Sequence, residues 1–443
     1  MFQSSRVKTA NSARLFENAK EVMPGGVTAN IKFFSPHPLF MDGGEGAYLR
    51  DVDGNDYVDY MLSYGALMLG HGHPAIKETL YSQIENSGTW LFGTPHELEI
   101  QFANKMKQFF PGMDFLRYTN SGTEATLLAL RLAESYTGKH KIAKFEGHYH
   151  GGYNKVLLSL DPDLAERGSS EEPNSVPSSK GINRSQVQET VVLPYNDNNA
   201  FEILKKHANE IGAVLIEPVQ GGFIPAGSSF MSELRYLTEE YNIVLIFDEV
   251  KTGFRINLGG AQSYYGIQPD LTTLGKVIGG GFPLGVVGGK KEILMESSPI
   301  KEDSSEILKP RDVLFHSGTY NGHPLILAAG LKTIDILENE LDNVLMKTDL
   351  LKSELELLFS EKGIPMQAIG IGSIFNVIIS EERILNYRDY CEANFKMRKK
   401  IDYQLLYNGI YSKPLSRYSL STRHGEKEIE RTINAYEKVL TGL

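Results

Sequence analysis

The chain opens with two short regions of different hydrophobic pattern. Apolar residues at helical spacing occupy residues 8–23, and Pro24-Gly25-Gly26 ends that pattern. Over residues 40–60, aromatic and β-branched residues alternate with polar ones around Asp53-Gly54-Asn55. This region is typical of small antiparallel strands joined by tight turns. We therefore predict an N-terminal helix followed by a small antiparallel sheet.

From about residue 97, helical segments alternate with short runs that are almost wholly apolar. Three of these runs lie at residues 115–118, 213–216 and 243–247. Strands that are apolar on both faces and separated by helices favour a mostly parallel sheet that is covered by helices on both sides. The sequence therefore predicts a large α/β domain.

The C-terminal part has a mixed pattern. It predicts a helix over residues 325–338, a second helical run, a strand over residues 373–379 and a closing helix from Glu426. These elements indicate a smaller α+β domain. We divide the chain into residues 1–65 with the N-terminal helix and strands, residues 66–322 as the large domain, and residues 323–443 as the C-terminal small domain.

One long polar stretch interrupts the alternation in the large domain. Residues 159–190 are rich in Ser, Glu and Pro and have no clear period. Loops of this length are either functional or variable insertions. We predict a surface loop, and an active-site lid and a simple insertion remain equal alternatives.

Composition and charge narrow the function classes. The 443 residues include 45 Lys and Arg against 55 Asp and Glu, a net charge of −10, with no dense basic run. This balance disfavours nucleic acid and anionic membranes as partners and fits a small-molecule substrate. Cys391 has no partner for an internal disulfide, and neither a signal peptide nor a membrane-spanning run is evident. We expect a soluble, cytoplasmic protein.

Two of the apolar runs end in an acidic residue at the same relative place. Glu217 follows AVLI, and Asp248 follows IVLIF. In open parallel sheets the carboxyl ends of the strands line the ligand crevice, so both acids are candidates for ligand contact. A helix cap is an equal alternative for Glu217. Asp248 ends a strand so apolar that its carboxylate needs a cationic partner to offset desolvation.

A capping box follows the apolar run at residues 115–118. Ser121-Gly122-Thr123-Glu124 places two hydroxyls and free backbone N–H groups at a helix N-terminus, after a predicted core strand. A helix N-terminus of this kind can bind a phosphate. An ordinary capped helix carries the same box, which leaves both interpretations open.

Lys276 stands between a strand-like run and a glycine-rich loop, in DLTTLGKVIGGGFPLGVVGG. The loop matches neither the phosphate-loop pattern nor G-x-G-x-x-G, because Leu284 stands where the last glycine should fall, and nucleotide binding is disfavoured. Apolar and glycine neighbours strip water from an amine, which favours its neutral, nucleophilic form. A surface lysine beside a flexible loop is the alternative.

Two histidine pairs are candidate metal ligands, His71 with His73 and His148 with His150. Neither pair has the i, i+4 spacing of a zinc protease or cysteine partners. We therefore expect no metal, and we interpret Tyr149, between the second pair, as an aromatic platform.

Six short motifs occur in an order and spacing that resemble the class III aminotransferases of fold type I over nearly the whole chain. They are NSGTEA at 120–125, GHYHG at 147–151, EP at 217–218, FDEV at 247–250, TLGK at 273–276 and HSGTY at 316–320. Within that class the stretches KFEGHYHG, IFDEVKTGFR and PDLTTLGKVIGGGFPLG are most similar to the glutamate-1-semialdehyde 2,1-aminomutases.

The resemblance implies pyridoxal 5′-phosphate as the cofactor, bound in the large domain. Lys276 would hold it as a Schiff base and later move the proton, and Asp248 would pair with the protonated pyridine nitrogen. The remaining cofactor residues would be Ser121, Gly122 and Thr123 on the phosphate, Tyr149 and Val250 on the two ring faces, and Glu217 in hydrogen bonds to ring or lysine. Thr319 would reach the phosphate of a neighbouring subunit, which implies a homodimer with shared active sites.

The chain departs from the aminomutases where substrate is chosen. Where they have Asn-Ser-Pro-Val-Arg this chain reads TANIK at 28–32, so Lys32 replaces an arginine that takes the substrate carboxylate. Tyr64 replaces a tryptophan of the aminomutases. A glutamate that they carry in the stretch corresponding to LSRYS at 415–419 has no counterpart here. Arg417 or Arg423 would offer a carboxylate site instead, with a solvated arginine as the alternative. Lys32, Tyr64 and Arg417 are our candidate substrate residues.

These departures decide which candidate function we place first. We predict an aminotransferase that moves an amino group from an amino acid or amine donor to a carbonyl acceptor. The alternative is a glutamate-1-semialdehyde 2,1-aminomutase, which moves the group within one molecule for tetrapyrrole precursor synthesis, and Lys32 argues against it. The presence of Lys276 and Asp248 argues against a silent binding relative. The missing glycine fingerprint argues against a nicotinamide dehydrogenase.

Overall fold

The computed structural model describes residues 8–302 and 304–442. Its helices are α1 (Ala10–Val22), α2 (Leu62–Gly65), α3 (Pro74–Ser87), α4 (Glu97–Phe109), α5 (Gly122–Thr137), α6 (Arg184–Gln188), α7 (Asn199–His207), α8 (Ser228–Glu240), α9 (Gly260–Tyr265), α10 (Lys291–Leu294), α11 (Pro324–Glu361), α12 (Tyr387–Cys391), α13 (Phe395–Tyr407) and α14 (Glu426–Thr441). Within the described residues, no helix has both the length and the apolar character that a bilayer crossing requires.

The strands of the same described residues are short. They are β1 (Met41–Glu45), β2 (Tyr48–Asp51), β3 (Asp56–Asp59), β4 (Phe115–Thr119), β5 (Lys141–Phe145), β6 (Thr190–Leu193), β7 (Ile211–Ile216), β8 (Val219–Gln220), β9 (Ile224–Pro225), β10 (Val244–Asp248), β11 (Leu271–Gly275), β12 (Gly285–Gly289), β13 (Met366–Ile369), β14 (Ile374–Ile379), β15 (Ile410–Tyr411) and β16 (Tyr418–Ser419).

The chain forms two compact units. The first combines the residues up to Lys77 with Asp342–Glu382 and the residues from Glu392 onward, and the second combines Glu78–Leu341 with Arg383–Cys391. The three-part division drawn from the sequence stays a prediction.

The second unit contains a seven-stranded sheet in the order β4-β12-β11-β10-β7-β5-β6. All pairings from β11 to β6 are parallel, whereas β12 is antiparallel to both of its neighbours. Strands β7, β10 and β11 are buried along their whole length, which is why their sequences are apolar on both faces. The predicted mostly parallel sheet is confirmed.

The reversed strand β12 was not identified in the sequence. Its residues GVVGG belong to the stretch that we interpreted as a glycine-rich loop. A Cβ on Gly288 would lie 2.5 Å from Met113 Sδ, and one on Gly285 would lie 2.2 Å from the Ser121 carbonyl oxygen. The glycines of this strand therefore serve close packing rather than loop flexibility.

The first unit has two small sheets. One has the order β1-β2-β3-β15, where β15 is parallel to β3 through the pair Ile410–Val58, and the other has the order β13-β14-β16. The predicted antiparallel strands of residues 40–60 thus gain a fourth strand from a segment 352 residues later in the chain (410 against 58), a non-local pairing that no local pattern indicates.

The long helix α11 corrects one detail of the sequence analysis. We expected two helical runs after residue 325, and the structure has one helix of 38 residues. No proline or glycine follows Gly330 in it, and Leu337, Leu341 and Val344 continue into Leu351 and Leu355 as one buried stripe. Unbroken helical spacing and the absence of a breaker explain the single helix.

Hydrogen bonds hold the polar stretch 159–190 in place within the second unit. The Ser159 N–H donates to the Val176 carbonyl oxygen at 2.7 Å. Arg388 forms a bidentate ion pair with the buried Glu146, at 2.7 and 3.1 Å, and donates to the carbonyl oxygens of Gly168 and Ser169. This segment is therefore tied to the C-terminal end of β5, where Glu146 follows Phe145.

Candidate active site

Asp248 is the buried carboxylate at the end of β10. Its Oδ2 lies 2.8 Å from His150 Nδ1, and its Oδ1 accepts a hydrogen bond from the Val250 N–H at 3.1 Å. Burial alone would raise the pKa of Asp248, but the hydrogen bond from His150 and the charges of His150 and Lys251 hold this pKa below its usual value. The group is therefore an anion at neutral pH.

His150 is a site residue that the sequence analysis did not identify. Its side chain is fully buried, and its Nε2 has no hydrogen-bond partner among the described residues. The GHYHG motif was the available signal, but we considered its two histidines only as metal ligands. Within the described residues no group of three or more His, Cys, Asp or Glu side chains is arranged to hold a metal ion.

Close glycine contacts bring four loops together around Asp248. A Cβ on Gly122 would lie 2.7 Å from Val250 Cγ1, and one on Gly275 would lie 3.3 Å from the same atom and 3.6 Å from Gly122 Cα. A Cβ on Gly151 would lie 2.8 Å from Thr123 Cγ2. The predicted residues Gly122, Thr123 and Val250 therefore line one cluster with the segment that leads into Lys276.

The N-terminus of α5 opens into this cluster. Ser121 is its N-cap, and the Ser121 hydroxyl accepts a hydrogen bond from the Glu124 N–H at 3.1 Å. Glu124 Oε2 in turn accepts from the Asn120 N–H at 2.6 Å. The first N–H groups of a helix lack intrahelical acceptors, and the helix dipole makes this end attractive to an anion.

Glu217 and Tyr149 are joined on another side of the cluster. The Glu217 carboxylate, 2% exposed, accepts hydrogen bonds from the N–H groups of Tyr149 at 3.1 Å and Gly221 at 3.3 Å, so it does not cap a helix. It also forms an ion pair with Lys251, whose Nζ lies 5.5 Å from the Tyr149 ring centroid. Burial raises the pKa of Tyr149, which keeps its phenol protonated. Lys251 was not predicted, although it stands in the IFDEVKTGFR stretch.

Lys276 begins a short 3₁₀ turn directly after β11. Its φ of +49° lies in the left-handed region, which is strained for a residue with a side chain. In the parallel register Asp248 pairs with Thr273, three residues before Lys276. The structure thus puts Lys276 past the end of the strand that adjoins Asp248, and not on an open surface loop.

Thr319 lies in an exposed turn, and no contact of its side chain with the cluster is observed among the described residues. The turn is anchored two residues later, where Asn321 Oδ1 accepts a hydrogen bond from Asn120 Nδ2 at 2.9 Å. The proposed role of Thr319 in a second subunit stays a prediction.

The three candidate substrate residues all lie in the first unit. Lys32 and Tyr64 line a cavity of about 370 Å³, and Arg417 Nη2 donates to the Tyr64 carbonyl oxygen at 3.4 Å. Lys32 Nζ donates to the Thr28 hydroxyl at 2.8 Å. The structure therefore brings Lys32, Tyr64 and Arg417 into one neighbourhood.

Tyr64 is held by an unusual turn. Leu62, Ser63 and Tyr64 have φ values of +45°, +52° and +59°, three consecutive left-handed residues that are not glycine. The buried Asp59 holds this turn by accepting hydrogen bonds from the N–H groups of Met61 and Leu62. Such strain persists only where the surroundings fix it, and it concentrates at functional sites.

One packing prediction follows from the glycine cluster. We expect Gly122→Ala to weaken cofactor binding about tenfold or more, because the new Cβ would meet Val250 at 2.7 Å and overpacking costs about 1–3 kcal/mol. Titration of the apo-protein with cofactor measures this. Gly152→Ala is the matched control, since a Cβ there meets nothing within 4 Å. Equal affinity of wild type and Gly122→Ala would contradict the close approach.

Comparison with known sequences supplies the family and two named relatives. The family model of the class III aminotransferases matches residues 33–417. The glutamate-1-semialdehyde 2,1-aminomutase of Ignicoccus hospitalis is 40% identical, covering 97% of this chain and 98% of its own. That of Archaeoglobus fulgidus is 37% identical, covering 98% and 100%. By name, these relatives support our aminomutase alternative better than the aminotransferase that we put first.

Solved structures with similar folds carry other names. An ω-transaminase from Sphaerobacter thermophilus aligns with a TM-score of 0.91 at 34% identity, covering 99% of this chain and 98% of its own. A transaminase with bound PLP has a TM-score of 0.87 at 30% identity and covers 98% of both chains. A β-phenylalanine aminotransferase from Variovorax paradoxus has a TM-score of 0.83 at 32% identity, covering 98% and 94%. The predicted family and fold type are confirmed: the chain belongs to the class III aminotransferases.

Proposed function

We propose that this protein catalyses amino-group transfer with pyridoxal 5′-phosphate attached to Lys276. The cofactor is the one that its family uses, and a relative 30% identical to the chain has PLP bound. The observation that carries the proposal is the buried Asp248 carboxylate, held ionised beside His150 on the strand that adjoins the one leading into Lys276.

The residues of the cluster fit this cofactor. Among the described residues the one ion-pair partner of Asp248 is His150, so a protonated pyridine nitrogen would supply the further cation that a buried carboxylate needs. The N-terminus of α5, with the hydroxyls of Ser121 and Thr123, suits a phosphate. The cluster is closely packed at Gly122 and Gly275, where an added Cβ would lie 2.7 and 3.3 Å from Val250, so side chains at these positions would compete with a flat ring for the space.

Each residue of the cluster has a distinct chemical task in the proposal. When bound, pyridoxal phosphate supplies an electron sink for the bond that breaks at the amino-bearing carbon of the substrate. The Lys276 amine holds the cofactor and then takes up and returns a proton at Nζ. Asp248 keeps the ring nitrogen protonated, and His150 orients Asp248. Tyr149 and Val250 would cover the ring faces, while Glu217 fixes the Tyr149 backbone.

Two reactions are compatible with this chemistry. The names of the full-length relatives favour glutamate-1-semialdehyde 2,1-aminomutase activity, which makes it the first candidate. Intermolecular aminotransferase activity is the second candidate. It is favoured by Lys32 at the position where the aminomutases have an arginine, and by the transaminase names of solved relatives at 30–34% identity.

A single comparison of substrates separates the two reactions. The holoenzyme is given glutamate-1-semialdehyde alone, and separately glutamate, alanine or an aromatic β-amino acid with and without a keto-acid acceptor. Isomerisation without any acceptor supports the aminomutase, and a keto product that requires the acceptor supports the aminotransferase. If a protein with the visible band of lysine-bound cofactor does neither, amino transfer as the function is refuted.

The assembly and location belong to the same proposal. We propose a homodimer in the cytoplasm, with Thr319 of each subunit directed to the phosphate site of the other. The exposure of Thr319 in a turn anchored beside the N-terminus of α5 supports this arrangement. The mass of the protein in solution, measured by light scattering, tests the dimer.

A further inference from the structure

Arg388, on the short helix α12, binds the residue that leads into the GHYHG motif. It lies 242 residues after Glu146 in the chain, and both residues belong to the second unit. Its Nε and Nη2 donate to the two carboxylate oxygens of Glu146 at 2.7 and 3.1 Å. Glu146 directly precedes the motif, which contains Tyr149 and His150. An arginine from a distant part of the chain therefore holds the start of this motif.

The Glu146 carboxylate depends on Arg388 for its counter-charge. Glu146 is 2% exposed, and among the described residues its one ion-pair partner is Arg388. A buried carboxylate is stable only when it is paired and hydrogen-bonded, and the planar guanidinium matches it with two parallel bonds. Without Arg388 the carboxyl would have to take up a proton, or the chain around Glu146 would have to move toward water.

The turn at Gly147 is packed against the helix that carries Arg388. Gly147 has a φ of +78°, and a Cβ there would lie 2.1 Å from Gln220 Nε2 and 2.7 Å from Tyr387 Cβ. Gln220 Nε2 also donates to the Glu146 carbonyl oxygen at 3.0 Å. The start of the motif is therefore in close contact with both β8 and α12.

The next residues of the motif contact the ends of β7 and β10. The Tyr149 N–H donates to the Glu217 carboxylate at 3.1 Å, and His150 Nδ1 lies 2.8 Å from Asp248 Oδ2. Glu146 is three residues before Tyr149 and four before His150. A displacement of Glu146 would therefore be passed along a short piece of chain to both hydrogen bonds.

Arg388 is itself fixed by further hydrogen bonds. Its Nη1 donates to the Gly168 carbonyl oxygen at 3.1 Å, and its Nη2 donates to the Ser169 carbonyl oxygen at 3.0 Å. The backbone N–H of Arg388 donates to Asn386 Oδ1 at 2.8 Å. Because one guanidinium serves a carboxylate and two carbonyl groups in fixed directions, a lysine ammonium could not replace it.

We propose that Arg388 is a positioning residue of the cofactor site: by holding Glu146, it places Tyr149 against Glu217 and His150 against Asp248. Arg388 stands in none of the motifs that carry the family resemblance. The proposal rests on the proposed function, because it assigns to the motif the task of contacting the cofactor. Arg388 acts through Glu146 and does not touch the reacting atoms.

The first measurement needs no cofactor. Hydrogen exchange of the apo-protein, followed by mass spectrometry, compares wild type, Arg388→Met and Arg235→Met. We expect exchange at residues 146–151 to be about tenfold or more faster in Arg388→Met, because Glu146 loses its counter-charge. Arg235→Met is the matched control: Arg235 pairs with the buried Asp270 at 3.1 Å in the same unit, and its replacement should leave exchange at 146–151 unchanged.

The second measurement titrates each apo-protein with pyridoxal phosphate and records the circular dichroism of the cofactor band. Arg388→Met should bind about tenfold or more weakly and change the sign or intensity of that band, since Tyr149 is displaced. Arg235→Met should lower the melting temperature alone. Adding Glu146→Gln to Arg388→Met should restore the affinity to within about threefold of wild type, because a neutral amide needs no counter-charge.

Each outcome decides the proposal. Equal effects of Arg388→Met and Arg235→Met on exchange and affinity would mean that Arg388 supports folding alone, and a lack of rescue by Glu146→Gln would refute action through Glu146. If Arg388→Met fails to fold, Arg388→Lys replaces it, and a wild-type affinity and band in that variant refute the proposal. Faster exchange at 146–151 in Arg388→Met, with no cofactor binding by wild type, would support the hold on the motif and refute the proposed function.

Discussion

Replacing Lys276 with alanine is expected to abolish amino transfer, lowering its rate by about a thousandfold or more. The reason is that one amine both holds the cofactor and moves the proton, and acid–base transfer alone contributes about 10²–10⁴. The visible absorption band of lysine-bound cofactor should disappear as well. Spectra of purified wild type and Lys276→Ala, followed by the rate with the best donor, measure both effects.

Lys251→Ala is the control that makes this result specific. Lys251 is a second amine of the same cluster, paired with Glu217 and near the Tyr149 ring, so it could hold the cofactor if Lys276 did not. We expect Lys251→Ala to keep the visible band. If the band survives in Lys276→Ala and vanishes in Lys251→Ala, the assignment of the attachment site is wrong.

The large sheet was predictable because its strands are chemically uniform. Strands β7, β10 and β11 are apolar on both faces because helices cover both sides of the sheet. Each strand therefore shows in the sequence as a run of consecutive apolar residues. The pairing of β15 with β3 was not predictable, because Ile410 and Val58 are far apart in the chain and β15 has only two residues. Local patterns predict elements, while such pairings depend on the whole fold.

The candidate site was likewise predictable only in part. Tyr149, Glu217 and Asp248 were identified from local patterns and from the family resemblance, and in the structure the Tyr149 N–H donates to Glu217 while Asp248 pairs with His150. His150 lies 98 residues from Asp248, and its role follows from a hydrogen bond that spacing does not reveal.

The two sources of functional evidence disagree about the reaction. The full-length aminomutase relatives reach 40% identity, and solved transaminases reach 34% over almost the same length. Lys32 and Tyr64, which line the first-unit cavity, are predicted to contact the substrate. Substrate binding therefore discriminates between the two reactions better than overall similarity does.

Replacing Asp248 with asparagine is the second large-effect prediction. We expect a rate loss of about 10²–10³, the usual range for removing one preorganised electrostatic group, together with weaker cofactor binding. The neutral amide keeps the shape and leaves the ring nitrogen without an anion to hold its proton. Stopped-flow rates of the first half-reaction and the cofactor dissociation constant measure the two effects.

Asp270→Asn separates this effect from a simple loss of buried charge. Asp270 is a buried carboxylate next to the same sheet, paired with Arg235 at 3.1 Å and Lys290 at 2.7 Å, outside the glycine cluster. Its replacement should lower the thermal stability and spare cofactor affinity. Equal losses of cofactor affinity in both variants would mean that Asp248 acts only through folding.

The pH dependence gives an independent check on Asp248. The pKa of its carboxyl is lowered in the folded protein, so its contribution to stability is complete above the unfolded value of about 3.9 and is lost as pH falls through the folded value. His150→Asn removes the hydrogen bond and the charge that lower this pKa. As the solution is acidified, the pH at which cofactor affinity falls should therefore be higher in His150→Asn than in wild type and unchanged in Asp270→Asn. An unchanged pH in His150→Asn would show that His150 does not hold Asp248 ionised.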